Sequence, residues 1–149
     1  MKTKIIIVAI LTVLVFSSAN CEDDIEPPKE IRGCTDRNSL SYNPQATIDD
    51  GSCEYSIVTF YAQWNAFNYI PIMRIDVLVN GEMLGSITTN YPNGPGNCSA
   101  QGTVRYEFNN GRSVDWNTTV YLANGAIIYG SGQVSPNQYS ECIKVNVTK

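Results

Sequence analysis

Asn-Gly pairs punctuate the C-terminal two thirds of this chain, at Asn80-Gly81, Asn110-Gly111 and Asn124-Gly125. Each stands between runs in which apolar and polar residues alternate. Asn-Gly supplies the two positive-φ positions of the tight turn that matches strand twist, which marks Asn80-Gly81 and Asn124-Gly125 as antiparallel hairpins and Asn110-Gly111 as a further turn. Ile75, Val77 and Val79 alternate with Arg74, Asp76 and Leu78, and Val104, Tyr106 and Phe108 alternate with Arg105 and Glu107. Residues 56–64, 73–79, 83–89, 103–108, 118–123, 126–134 and 142–147 read as strands, the last with Ile143, Val145 and Val147 inward. No segment of helical length has a 3.6-residue period. The expectation is an all-β chain: an antiparallel, Ig-like β-sandwich of about seven strands over residues 56–149.

The start of the chain reads as an address. Lys2 and Lys4 precede an unbroken apolar run, IIIVAILTVLVF, at residues 5–16. Crossing a bilayer as a helix takes ~20 apolar residues. The run therefore fits the core of a secretory signal peptide over residues 1–20. Ser17-x-Ala19 is a small-residue cleavage site on one reading. On the other, Cys21 is the lipid-bearing cysteine of a bacterial lipoprotein, with Asn20 and Ser18 where a small residue and Leu are usual. Cysteine parity favours the second. Of Cys21, Cys34, Cys53, Cys98 and Cys142, one is left over if the rest pair, and an acylated Cys21 accounts for it. Glu22-Asp23-Asp24 follows, and it resembles the surface-export signal of Bacteroidota lipoproteins. That resemblance implies a lipid-anchored protein on the outer face of the outer membrane, its membrane partner reached through the lipid. Residues 21–32, charged and carrying Pro27-Pro28, read as an extended tether.

Residues 33–55, GCTDRNSLSYNPQATIDDGSCEY, have turn dipeptides at Asn43-Pro44 and Asp50-Gly51 and almost no apolar content. Cys34 and Cys53 bracket them and are the obvious disulfide partners, because so small a unit needs a staple. Cys98 and Cys142 are then expected to tie the long loop at 90–102 to the last strand. Cross-pairings between the two blocks stay open from spacing alone. The same stretch resembles a cysteine-bracketed repeat of secreted and surface Bacteroidota proteins, with Ser39 and Ser41 where Ala and Asn are usual. The resemblance implies a structural or linker module. Asp36, Asp49 and Asp50 are weak calcium candidates, but no EF-hand register fits them, and Asx-turns are the expected use of their carboxylates.

The chain has no histidine among its 149 residues, which removes imidazole-based catalytic triads and zinc sites. Nothing in the sequence asks for a cofactor. Residues 22–54 carry nine acidic and three basic side chains, and residues 55–149 carry five of each. A neutral sandwich behind an acidic tether has no footprint for nucleic acid. The acid-pair chemistry of a glycosidase has only Asp76, Glu82, Glu107, Asp115 and Glu141 to draw on in the sandwich. Asp76 and Glu107 fall on outward strand positions, where solvated residues are expected, so the chain does not read as an enzyme.

Aromatic residues cluster in two stretches read as loops, Trp64-Asn65-Ala66-Phe67-Asn68-Tyr69 and Asn90-Tyr91-Pro92-Asn93. Trp64, Phe67, Tyr69 and Tyr91 are the candidate ligand-binding residues, for a glycan or a protein. The competing expectation is that Trp64 and Phe67 fold back over the core, where Trp116 also belongs. Val58-Thr59-Phe60, Val77-Leu78-Val79-Asn80-Gly81, Pro95-Gly96-Asn97-Cys98 and Cys142-Ile143-Lys144-Val145 resemble motifs of small all-β domains in Bacteroidota surface proteins. The expected function is a non-catalytic binding or adhesion module; the alternative is a structural envelope lipoprotein without a small ligand.

Overall fold

The computed structural model describes residues 28–149. The expected signal peptide, Cys21, the acidic run and most of the expected tether lie outside the described residues. The chain is an all-β sandwich of eight strands: β1 Ile57–Tyr61, β2 Ala66–Phe67, β3 Ile70–Val79, β4 Glu82–Ile87, β5 Val104–Glu107, β6 Val114–Leu122, β7 Ile127–Val134 and β8 Cys142–Asn146. One sheet has the order β5-β1-β8. The other runs β7-β6-β3, with β2 and β4 both on the far edge of β3. No helix among the described residues is long and apolar enough to cross a membrane.

Two features depart from the sequence expectation. The first is that β1 and β8 pair in parallel, Ile57 opposite Cys142 and Phe60 opposite Val145, so the sandwich is not purely antiparallel. Parallel neighbours need a long connection, and these strands have the rest of the domain between them. The second is β2, in a stretch read as loop. Ala66 and Phe67 pair with Pro71 and Ile70 through a turn at Asn68 and Tyr69, whose φ values are 47° and 67°. The geometry matches that of Asn80-Gly81 (51° and 85°), but a tyrosine occupies the second position.

The core is built from the inward residues of both sheets: Val58 and Phe60 on β1, Ile75, Val77 and Val79 on β3, and Val120 and Leu122 on β6. Trp116 is half-buried at its margin, its ring 6.0 Å from Phe60. Asp76 corrects the expected pattern. It alternates outward as read, but only 9% of it is exposed. It accepts a hydrogen bond from Ser86 Oγ (2.6 Å) and pairs with Arg74 (3.1 Å).

Both disulfides form within their own blocks, Cys34–Cys53 and Cys98–Cys142. The second holds the long loop over the outer face of the three-stranded sheet, where Pro95 is buried and Lys144 Nζ donates to the Gly96 carbonyl. In the first unit, the hydroxyls of Ser39 and Ser41 replace a core. Ser39 Oγ donates to the Glu54 carbonyl (2.7 Å) and Ser41 Oγ to that of Ser52 (2.7 Å). The unit begins earlier than residue 33, because Arg32 bridges Ile48 and Ile31 accepts from the Thr47 and Ile48 amides. It also rests on the sandwich. Asn38 Nδ2 donates to the Gly111 carbonyl (3.0 Å), and the Tyr55 hydroxyl, whose ring packs on the core, donates to Asp36 (2.9 Å). Gly111 is required there, because a Cβ would lie 2.1 Å from the Asp36 carboxylate.

Candidate functional site

Ala62 follows β1 and bridges Asn90, and Gln63 then locks the segment on three sides. The Gln63 amide donates to Thr148 Oγ1 (2.9 Å), its side-chain nitrogen donates to the Pro92 carbonyl (2.9 Å), and its side-chain oxygen accepts from Asn146 Nδ2 (2.8 Å). On the other side Asn65 accepts from the Ile72 amide (2.8 Å). Trp64 is thus held by its neighbours while its ring stays 53% exposed. Phe67, on the two-residue β2, is 47% exposed. Neither residue folds back over the core, which corrects that expectation: the β2–β3 hairpin holds both at the end of the sandwich.

Two depressions flank Trp64. One, of about 110 Å³, lies toward Ile75, Ile87 and Asn90. The larger, about 330 Å³, opens between the sheets. Phe67, Ile72 and Tyr129 line it, with Val120 and Ile128 from the inner face and Val147 beyond β8. Thr118 also lines it. It is 1% exposed, and its Oγ1 has no hydrogen-bond partner. Thr148 lines it too, but its hydroxyl already accepts from the Gln63 and Trp64 amides and bonds Asn146 Oδ1. The inner-face position opposite Thr118 is Gly130, where a Cβ would lie 2.6 Å from Thr118 Oγ1. The cleft is hollow there because β7 contributes no side chain.

No protein-family model, no curated protein and no solved structure matches this chain. The site therefore rests on its own geometry.

The aromatic candidates divide. Trp64 and Phe67 come together at the cleft. Tyr69 stands fully exposed at the hairpin tip and lines neither depression. Tyr91 is half-buried on the cystine loop, its hydroxyl donating to the Gln101 carbonyl (2.6 Å), a bond that fixes the loop. Sequence reasoning missed Thr118, Gly130 and Tyr129. Only the register of β6 against β7 brings a hydroxyl opposite a missing side chain, and single-strand alternation carries no register.

Acidic chemistry is dispersed. None of Asp76, Glu82, Glu107, Asp115 or Glu141 lines either depression. Glu107 is exposed and paired with Arg105. Arg74 lies 4.4 Å over the Tyr121 ring; hydrogen bonding toward Tyr121, ahead of the charge of Asp76, pushes its pKa up. In the stapled unit, Asp36, Asp49 and Asp50 accept from the amides of Asn38, Gly51 and Ser52 in Asx-turns. The bonds from Ser52 hold the Asp50 carboxyl below its ordinary value. No three acidic or cysteine side chains among the described residues are grouped to hold a metal.

Proposed function

We propose that this chain is a lipid-anchored, surface-facing envelope protein whose β-sandwich is a non-catalytic binding module. One observation supports the binding reading above all: Trp64 and Phe67 stand half-exposed at the mouth of a cleft of about 330 Å³, on a segment pinned from three sides. Large aromatic rings left in water at a concave site are what a ligand-binding end requires, whereas a purely structural sandwich gains by burying them. The anchoring part rests on the sequence: the apolar run at 5–16, Cys21 as the fifth of an odd number of cysteines and the acidic residues behind it. The stapled unit acts as a spacer between lipid and sandwich.

The test has two arms. Cys21→Ala should move the protein from the membrane fraction to the soluble fraction, and retention in the membrane overturns the anchor. On a glycan array and in crosslinked pull-downs from envelope extract, Trp64→Ala should weaken capture at least ~10-fold, the usual loss for a buried aromatic anchor. Capture equal to wild type would remove the aromatic end as the binding surface.

A further inference from the structure

We propose that the cleft between β2, β6 and β7 binds a small, uncharged, ring-bearing molecule with one hydrogen-bonding head, of the phenol or indole class. This rests on the binding-module reading and says what the module takes. Three observations converge on it.

The first is the orphaned hydroxyl. A buried hydroxyl without a partner has lost its water and gained nothing in exchange, and a ligand atom that bonds to it recovers that loss. Thr118 Oγ1 is in that position at the floor of the cleft. A threonine hydroxyl both donates and accepts, so it serves a phenol oxygen or an indole N–H equally.

The second is Gly130. Any other residue would put a Cβ 2.6 Å from that hydroxyl, so the glycine leaves room beside a group that is otherwise almost fully enclosed. At the neighbouring Gly132 the Trp116 indole fills the space a Cβ would take, within 2.5 Å, whereas at Gly130 it comes only to van der Waals contact, 3.9 Å from that position.

The third is the character of the walls. Ile72, Val120, Ile128 and Val147 are apolar, Phe67 and Trp64 are aromatic, and no acidic side chain is present. A sugar needs several free polar partners. Apart from Thr118, the Thr148 hydroxyl is already engaged, and Asn68, Tyr129 and Lys149 are exposed side chains that water already hydrates. Lys149, exposed at the end of the cleft lining, is its one charged side chain; a charged head drawn down to buried Thr118 would give up its hydration, which is strongly unfavourable. The size, about 330 Å³, lies at the small end of ligand pockets, ~300–1,000 Å³, and suits one or two rings. The polar atom goes in first, and the ring lies between the walls and the aromatic mouth.

p-Cresol and toluene test this directly, because they differ only in the hydroxyl. Each is titrated into the disulfide-intact protein while the methyl resonances of Val120 and Ile128 are followed by NMR. p-Cresol should shift both and bind at least ~10-fold more tightly than toluene, equivalent to about 1.4 kcal/mol. Thr118→Val should bring the two affinities within ~2-fold and leave toluene binding in place, since Val keeps the shape and lacks the hydroxyl. Gly130→Ala, on the same β-ladder, should weaken both compounds. A cooperative melt near that of wild type shows that each variant is folded. No methyl shift with either compound at millimolar concentration, equal affinities in wild type, or a p-cresol preference that survives Thr118→Val overturns the proposal. If both compounds fail while Trp64→Ala still abolishes capture of a glycan or protein, the ligand class falls and the binding module stands. If p-cresol binds while Trp64→Ala leaves capture unchanged, the reverse holds.

Discussion

Tyr55 joins the stapled unit to the sandwich, and its ionisation should be visible in stability. Burial, then the hydrogen bond to Asp36 and that carboxylate's charge, push its pKa above the usual ~10. The folded state therefore prefers the protonated phenol. This stabilisation is complete below about pH 10 and disappears as pH rises through the higher folded-state value. Tyr55→Phe should cost about 1–2 kcal/mol near neutral pH and flatten the alkaline fall of the melting temperature above about pH 10; an equally steep fall in the variant would assign that loss to other tyrosines. At this scale the sequence was readable where alternation sufficed. It put Ile75, Val77 and Val79 inside, and all three are buried. It left Asp76 in solvent because alternation reports which face a side chain takes and not what covers that face. β3 is flanked by β4 and β6, so Asp76 lies between Ser86 and Thr119 and beside Arg74. Tyr69 escaped for a different reason. A tyrosine at positive φ costs roughly 1–2 kcal/mol, so propensity points away from the turn that the structure contains.

Among the elements, β7 carries the most information per residue. Gly132 lies opposite Trp116, and a Cβ there would meet the indole at 2.5 Å. Gly132→Ala should displace Trp116 from its place near Phe60 and cost about 1–3 kcal/mol, the range for overpacking a filled site. Tryptophan emission and a denaturant midpoint check it; an unmoved midpoint would mean that the indole swings aside without cost. Strand existence was legible from alternation and turn residues, and seven segments found strands. β2 was not legible, because two residues are too few to show a period. Its hairpin turns on Asn68-Tyr69, which lacks the glycine that marks Asn80-Gly81. The candidate site was half legible. The cluster of Trp64 and Phe67 pointed to the end of the molecule where the cleft opens, while the cleft floor at Thr118 depended on a cross-strand register that no single segment encodes.

At the scale of the whole molecule, composition suggested two units, each closing its own loop, and the disulfides are distributed in that way. The hydrogen bonds from Asn38 to Gly111 and from Tyr55 to Asp36 nevertheless make the stapled unit lean on the sandwich. In the chain-entropy argument, closing the shorter loop contributes ~3 kcal/mol and the longer ~4 kcal/mol. Cys34→Ser should unravel the stapled unit and, by releasing the contact at Gly111, lower the sandwich's own melting transition by about 3–8 °C, the equivalent of ~1 kcal/mol in a domain of this size. A transition unchanged from wild type would show that the two units are independent. The parallel pairing of β1 with β8 has a further consequence, in time rather than in energy. The partner of Ile57 is Cys142, so β1, the first strand in chain order, has one edge open until nearly all the rest has been made. The β3–β4 hairpin and the β6–β7 ladder can form as they arrive, since their partners are neighbours in sequence. The three-stranded sheet is then the slow, late step, and the interval before β8 docks is when this chain is most open to mispairing with another copy of itself.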